Sequence, residues 1–368
     1  MSGNKIGCYK PWATLYFENS SNNAGPCCWL TGPEYGKLNN NSNLSDVWGT
    51  DAWEKLRRDM YEADGGLPTQ CRLYCNGKQT YVNPLYQQSV IEWAMNDKRW
   101  ELPPQGLALT VANACNLKCK LCWIFDDFDY VIPMEGAERV IKQIRESVIP
   151  GQDHKFAMNL AGGEVFYAKP MRKLVYQFAE DPTLGAEFQF GFITNSTVYE
   201  EKWWDLIKNK RYAICDYITS VDGWDAESYT NYRGRDMFDQ VLTNVDKVIK
   251  WRDDHMDTHG YFNIFINSLI MTKTYPHLKD IIDLWWNRNV KLQFIPLIVH
   301  YKPDDSEQVY NIPGLREDCL IKLNEALDYI NSKEITVWYQ EENRNSIIRS
   351  LTDNIEYLNN LIKGSQTR

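Results

Sequence analysis

The sequence predicts an α/β protein built on an open, partial (β/α)6 TIM-like barrel, with a small N-terminal domain before it and a helical C-terminal extension after it. Three observations predict this. From Gly106 onward, short apolar strand patterns alternate six times with amphipathic helix patterns, as expected for parallel strands joined by crossover helices. Cys8, Cys27, Cys28, Cys71 and Cys75 crowd into the first fifth of the chain, in a Trp-rich segment with little other core. Beyond residue 300 the pattern is helical alone. The expected divisions are 1–80, a linker over 81–104, the barrel over 105–300 and capping helices over 301–368. Six βα units are too few to close an eight-stranded barrel, so the sheet is expected to stay open.

Composition narrows the function classes. The chain has 368 residues, 43% hydrophobic and 24% charged, which excludes wholesale disorder. Its 14 Trp and 22 Tyr supply core and interface material. A net charge of −9 without a long basic run disfavours a nucleic-acid partner. The N-terminus lacks the apolar stretch of a signal peptide, and runs such as Phe294–Val299 are too short to span a bilayer, so no membrane association and a cytoplasmic location are expected. In a reducing compartment, ten cysteines suggest metal ligands rather than disulfides. Isolated Cys215 and Cys319 read as inert core residues.

Taken in order, Pro11–Phe17 reads as a strand and Asn19–Gly25 as a polar turn, with a return through Pro26–Leu30 that brings Cys8 and Cys27 to one end of a hairpin. Ser45 is the expected cap of a helix from Asp46 to Tyr61, with Trp48, Trp53, Leu56 and Met60 on one face. One helix, Gln87–Met95, is expected before the Leu102–Gly106 boundary. The barrel strands are Gly106–Ala112, Phe156–Leu160, Phe188–Thr194, Tyr217–Val221, Phe262–Met271 and Leu292–Val299. Among the helices between them are Met134–Val148, Pro170–Phe178 and Glu200–Lys208, then two more marked by Phe238–Ile249 and Leu278–Trp285. Two capping helices, Leu315–Ile330 and Asn345–Ile362, close the chain. Ile347, Ile348, Leu351, Ile355, Leu358 and Leu361 form one face of the second.

The first barrel strand runs into Cys115-Asn116-Leu117-Lys118-Cys119-Lys120-Leu121-Cys122-Trp123. Three thiols at such short steps, with no fourth nearby, suit a cubane 4Fe–4S cluster that leaves one iron for another ligand. In the N-terminal domain, Cys8, Cys27, Cys71 and Cys75 can staple a small core through a metal, and four thiolates satisfy tetrahedral zinc as well as an iron–sulfur cluster. Gly162-Gly163-Glu164 after the second strand lets backbone approach a ligand closely and adds a carboxylate suited to an ammonium. The acidic Asp126, Asp127 and Asp129 read as a solvated loop.

The CxxxCxxC loop resembles the signature of the radical SAM superfamily, and the features after successive strands resemble it further. Gly162-Gly163-Glu164 is similar to the motif that holds the amino group of S-adenosylmethionine. Thr194-Asn195-Ser196 resembles the family's third-strand turn. Ser220-Val221-Asp222-Gly223 with Arg233-Gly234 resembles the pattern of its SPASM branch. The resemblance implies that Ser220 contacts the ribose or carboxylate region and Arg233 the methionine carboxylate. It also implies that Asn267 and Ser268 approach the ribose and the Phe294–Pro296 strand end lines the adenine. Leu121 departs from the aromatic residue usual before the third cysteine. The early cysteines, with Cys8-Tyr9-Lys10-Pro11-Trp12, Trp48 and Leu56-Arg57, resemble the twitch/SPASM auxiliary module. That implies a second 4Fe–4S cluster on Cys8, Cys27, Cys71 and Cys75, with Cys28 the alternative to Cys27. Here the module precedes the barrel, and its last pair is CxxxC where CxxC is common.

The activity so implied is reductive cleavage of S-adenosylmethionine to a 5′-deoxyadenosyl radical, fed by an electron donor such as flavodoxin or ferredoxin. That radical takes hydrogen from a peptide or protein substrate, with a small-molecule natural-product intermediate as the alternative. The chain opens directly into the cysteine-rich segment, so no separate leader-peptide domain is expected. A non-catalytic zinc or redox protein is the reading of another class, and the motifs at successive strand ends argue against it. No catalytic acid or base is assigned.

Overall fold

The computed structural model describes residues 6–28, 30–63, 66–67, 71, 103–122, 127–147, 155–297 and 305–366. The expected helix at Gln87–Met95, and with it Cys75, Trp123 and Asp126, lies outside the described residues. By compactness the chain divides into one unit of residues 1–114 and 127–191 and another of residues 115–126 and 192–368. No helix among the described residues is long and apolar enough to cross a membrane.

The first unit starts with a short helix, α1 (Lys10–Ala13), and then β1 (Thr14–Phe17). Pro11 therefore sits in a helical turn rather than in the expected strand. Its fixed φ suits a first turn, and the Tyr9 carbonyl accepts the Trp12 and Ala13 N–H groups, each at 3.0 Å. The hairpin forms, with β1 antiparallel to β2 (Ala24–Gly25), so the return strand comes just ahead of Pro26. The single helix expected from Asp46 is two, α2 (Leu44–Trp48) and α3 (Asp51–Glu62). Gly49 ends the first and Thr50 starts the second, while Asn43 rather than Ser45 caps α2, its N–H bonded to Asp46 at 2.8 Å. The break turns Trp48 and Trp53 onto each other, ring centroids 4.7 Å apart. Buried Arg57 lies 4.6 Å over Trp48 and donates to the Pro11 carbonyl at 2.8 Å.

β1 also pairs in parallel with β3 (Gly106–Thr110), Leu15 opposite Leu107. This pairing was not visible in the sequence, because a four-residue strand carries no partner information. β3 is parallel to β4 (Phe156–Ala161), giving the order β2–β1–β3–β4 in this unit. Helix α4 (Met134–Ser147) buries Ala137, Val140, Ile141 and Ile144, the expected face, and α5 (Lys169–Glu180) follows β4. Strand β5 (Phe188–Thr194) carries the chain from the first unit to the second.

The second unit holds α6 (Glu201–Ile207), β6 (Ile214–Ser220), α7 (Ala226–Arg233), α8 (Phe238–Asp254), α9 (Met256–His259), β7 (Asn263–Ile270), α10 (Leu278–Trp286) and β8 (Lys291–Pro296). Strands β6, β7 and β8 are parallel and adjacent in that order. All six strands expected from Gly106 onward are therefore present in a parallel-sheet α/β core, most with shifted ends. Helix α7 was missed, since its eight residues carry no apolar period. It is fixed by its ends instead. Asp225 caps it by accepting the Ser228 N–H at 2.8 Å, and Gly234 stops it at φ +74°.

Two long helices, α11 (Pro313–Ser332) and α12 (Trp338–Gln366), complete this unit. Of the expected α12 face, Ile347, Leu351 and Leu358 are fully buried. Beside them runs a polar stripe that the apolar pattern hid. Asn343 Oδ1 accepts the Leu292 N–H at 2.9 Å, and Ser346 donates to the Leu292 carbonyl at 3.0 Å. Ser350 accepts the Phe294 N–H at 3.1 Å, and Asn354 donates to the Phe294 carbonyl at 2.9 Å. Spacings of three and four keep these side chains on one helix face, where they satisfy the β8 backbone in place of another strand.

Truncating this stripe therefore strands backbone groups. Asn343→Ala, which leaves the buried Leu292 N–H unpaired, is expected to cost about 1–3 kcal/mol, read from the denaturant midpoint at unchanged slope.

Candidate active site at the cysteine loop

In the second unit, Cys115, Cys119 and Cys122 are all partly buried. The loop carrying them is tied down from its own side first. The Leu117 N–H points at Cys115 Sγ, 3.4 Å away, and buried Leu117 anchors the turn. The Cys122 N–H closes on the Cys119 carbonyl at 3.2 Å. The C-terminal end of α7 supplies the next restraint, with the Lys118 and Lys120 N–H groups donating to the Arg233 and Tyr232 carbonyls at 3.3 and 2.8 Å. Gly234 is required there, because a Cβ at this residue would lie 2.5 Å from the Lys118 carbonyl oxygen.

Side chains then reach the thiols. Asn195 Nδ2 lies 3.5 Å from Cys115 Sγ and donates to Asn116 Oδ1 at 3.1 Å. Its own Oδ1 accepts the Thr197 N–H and hydroxyl at 2.9 and 2.6 Å, fixing the amide orientation. Thr194 shapes the same turn by accepting the Ser196 N–H at 3.0 Å. Arg233 Nη1 lies 3.8 Å from Cys119 Sγ, while Nη2 pairs with Asp222 Oδ2 at 2.6 Å. Both partners of that ion pair are buried. Burial opposes the guanidinium charge, but the Asp222 carboxylate and then the Cys119 thiol hold its pKa above the ordinary value. Arg233 Nε keeps an unpartnered N–H.

Asp222 accepts the Leu269 N–H at 2.9 Å through its other oxygen, which joins the loop after β6 to β7. Ser220 and Asn267 face one another in register across these strands, and Asn267 Oδ1 is buried without a hydrogen-bond partner. Pro296 ends β8 opposite Ile270. Of the residues marked in the sequence, this unit thus gathers Cys115 with Asn195, and Cys119 with Arg233 and Asp222.

The first unit holds Gly162-Gly163-Glu164. The Gly163 and Glu164 N–H groups donate to the Ala112 and Ala114 carbonyls at 2.8 and 3.0 Å, extending the β3–β4 ladder beyond its last strand residues. Gly162 has φ +126°, and a Cβ at Gly163 would sit 2.0 Å from the Ala114 carbonyl oxygen. Both glycines follow from this approach of backbone to backbone. Glu164 is fully buried. Asp127, read in the sequence as solvated, accepts the Ser20 hydroxyl at 2.6 Å.

Cys8, Cys27 and Cys71 are partly buried and Cys28 is exposed. Burial, with Glu34, Cys71, Asp59 and Cys27 adding to it, pushes the Tyr35 phenol up to about 12, so Cys27 and Cys71 lie within electrostatic reach of one buried ring. Among the described residues no three or more His, Cys, Asp or Glu side chains converge as a metal site, and Cys75 is not among those residues. Burial pushes the Cys215 and Cys319 thiols up to about 12, and Cys319 lies in the core as expected, whereas Cys215 is only partly buried.

Missed in the sequence was the attachment of Lys120, whose ammonium pairs with Glu307 at 3.1 Å, and the tie of Asn195 to Cys115. Of the loop's partners, Arg233 was marked in the sequence, as part of the pattern with Ser220 and Asp222.

In sequence the three-thiol loop follows β3, a strand of the parallel α/β core. Residues 109–259 match the model of the Radical SAM superfamily. A GTP 3′,8-cyclase from Psychromonas ingrahamii is 23% identical over 218 residues, which cover 56% of this chain and 55% of that enzyme. Among solved structures, Streptococcus suis SuiB aligns at a TM-score of 0.45 with 16% identity, over 72% of this chain and 56% of its own. Native anSMEcpe with bound AdoMet aligns at 0.43 with 18% identity, over 64% and 63%. The chain thus spans little more than half the length of the curated relative.

Two substitutions check the geometry. Asp222→Ala leaves the buried Arg233 guanidinium unpaired and is expected to cost about 3–5 kcal/mol in chemical denaturation. Gly163→Ala drives a methyl into the Ala114 carbonyl and is expected to cost about 1–3 kcal/mol by the same measurement.

Proposed function

We propose that Cys115, Cys119 and Cys122 hold a 4Fe–4S cluster and that the protein uses it to cleave S-adenosylmethionine reductively. The observation that carries this reading is the setting of the thiols, with the side-chain N–H groups of Asn195 and Arg233 directed at two of them. Hydrogen bonds to sulfur are among the features that set cluster potentials. When bound, the cluster and S-adenosylmethionine supply a one-electron cleavage to methionine and a 5′-deoxyadenosyl radical, which takes a hydrogen atom from substrate.

The chain's own residues position and exclude. Arg233 Nε, buried and unpartnered, suits a carboxylate such as that of methionine. Glu164 offers a buried carboxylate for an ammonium, and Gly162 and Gly163 bring its backbone into place. Thr194 and Asn195 shape the turn beside Cys115. Ser220 and Pro296 end β6 and β8, Asp222 follows β6, and Asn267 lies within β7 opposite Ser220, on the side of the sheet's C-terminal edge where a ribose and base would be read. The unpartnered oxygen of Asn267 suits a hydroxyl donor.

Cys8, Cys27, Cys71 and Cys75 are the proposed ligands of an auxiliary 4Fe–4S cluster, supported by their grouping in the first fifth of the chain. The proposed substrate is a peptide or protein, with reducing electrons from a flavodoxin or ferredoxin. A nucleotide substrate is the second reading, favoured by the GTP 3′,8-cyclase similarity.

Anaerobic reconstitution tests the proposal. About eight irons per chain are expected, falling to about four in a Cys115→Ala, Cys119→Ala, Cys122→Ala triple variant. Dithionite-reduced wild type is expected to yield 5′-deoxyadenosine, and the triple variant none. Zinc in place of iron at both thiol sets would overturn the reading. Stimulation of 5′-deoxyadenosine formation by GTP, and not by a peptide encoded beside the gene, would favour the nucleotide.

A further inference from the structure

We propose that Glu307 is a positioning residue for the cysteine loop, acting through Lys120. Glu307 is 4% exposed and lies in the segment after β8, far in sequence from the loop it serves. Its Oε2 accepts hydroxyl hydrogens from Thr272, after β7, at 2.5 Å and from Tyr232, in α7, at 3.1 Å. Its Oε1 is left for the Lys120 ammonium at 3.1 Å. The Thr272 N–H donates to the Glu307 carbonyl at 3.3 Å, so backbone as well as side chain is fixed. One carboxylate thereby joins β7, α7 and the stretch between the second and third thiols.

The alternative is an ion pair that only adds stability. Lys120 keeps nearly half of its side-chain surface in water, which screens the pair, and the buried Glu307 carboxylate keeps its Thr272 and Tyr232 donors without it, so the energetic value of the pair alone is small. What the pair restricts is position. The Lys120 N–H is bonded to the Tyr232 carbonyl while its ammonium reaches the carboxylate that also accepts from the Tyr232 hydroxyl. Backbone and side chain of one loop residue are thus held by the same helix end. Burial disfavours the charged carboxylate, but Thr272, Lys120 and Tyr232 together hold its pKa below the usual glutamate value, consistent with an anion kept for its contacts. What the loop holds rests on the function proposed above, whereas its restraint by Glu307 does not.

Hydrogen exchange on the full-length apoprotein, read on fragments spanning residues 115–122, tests this without any cofactor. In wild type the Lys118, Lys120 and Cys122 amides are bonded and should be protected. Lys120→Met and Glu307→Gln are each expected to speed their exchange about tenfold, with the double variant no faster than Glu307→Gln alone. Lys120→Arg should restore most of the protection, and the melting temperature of Lys120→Met should stay at the wild-type value. Unchanged loop exchange in Lys120→Met, or a melting temperature that falls in step with exchange throughout the chain, would overturn the proposal. Should Glu307→Gln fail to fold, the two Lys120 variants decide. After reconstitution, iron release to a chelator should be faster in Lys120→Met. A wild type that takes up no iron would instead refute the cluster reading and leave the exchange result to decide this one.

Discussion

The second unit depends on a charge that has been taken out of water and kept. Arg233 is buried together with Asp222, and the pair is closed at 2.6 Å. A buried guanidinium with one carboxylate is close to neutral in net energy against apolar packing, so stability alone gives little reason for it. Its value lies in what the remaining atoms do. Asp222 holds the backbone of β7, Arg233 reaches Cys119, and the Arg233 carbonyl accepts from Lys118. Strand, helix end and thiol loop are therefore fixed relative to one another through one ion pair.

The C-terminal edge of the sheet in this unit shows the same economy with polar groups. An open parallel sheet exposes unpaired N–H and C=O groups on its last strand, which would recruit another strand. Here α12 meets them with Asn343, Ser346, Ser350 and Asn354, while Ile347, Leu351 and Leu358 fill the adjoining core. Asparagine and serine are poor helix-interior residues. Their presence in the middle of a 29-residue helix makes sense once each also bonds the backbone of β8, although Ser350 and Asn354 donate to carbonyls of their own turn as well.

What the sequence discloses follows from the range of the interaction involved. Periodicity is local, so the strands and most of the helices from Gly106 onward were legible. The Cys115, Cys119 and Cys122 spacing was legible for the same reason. Pairings between distant segments left no such mark. The parallel addition of β1 to β3, the attachment of Lys120 to Glu307 and the Asn–Ser stripe on α12 all join residues far apart in the chain. The Asp46–Tyr61 helix failed differently, since a helical apolar period ran on across Gly49 and Thr50, whose capping preference overrode it. Helix α7 had no period to find.

The electrostatics of the loop give the last step. The loop carries two lysines among its three cysteines and has an arginine against it. Were all three cations free to turn toward sulfur, the loop would have several competing arrangements. Arg233 is divided between Asp222 and Cys119, and Lys120 is drawn to Glu307. The carboxylates thus select which cation meets which sulfur. That leaves Cys119 with a charged donor and Cys115 with a neutral amide, Asn195, which is itself oriented by Thr197. An asymmetry of donors around equivalent ligands is a means of making them inequivalent, since a charged N–H shifts electron density on sulfur more than a neutral one does.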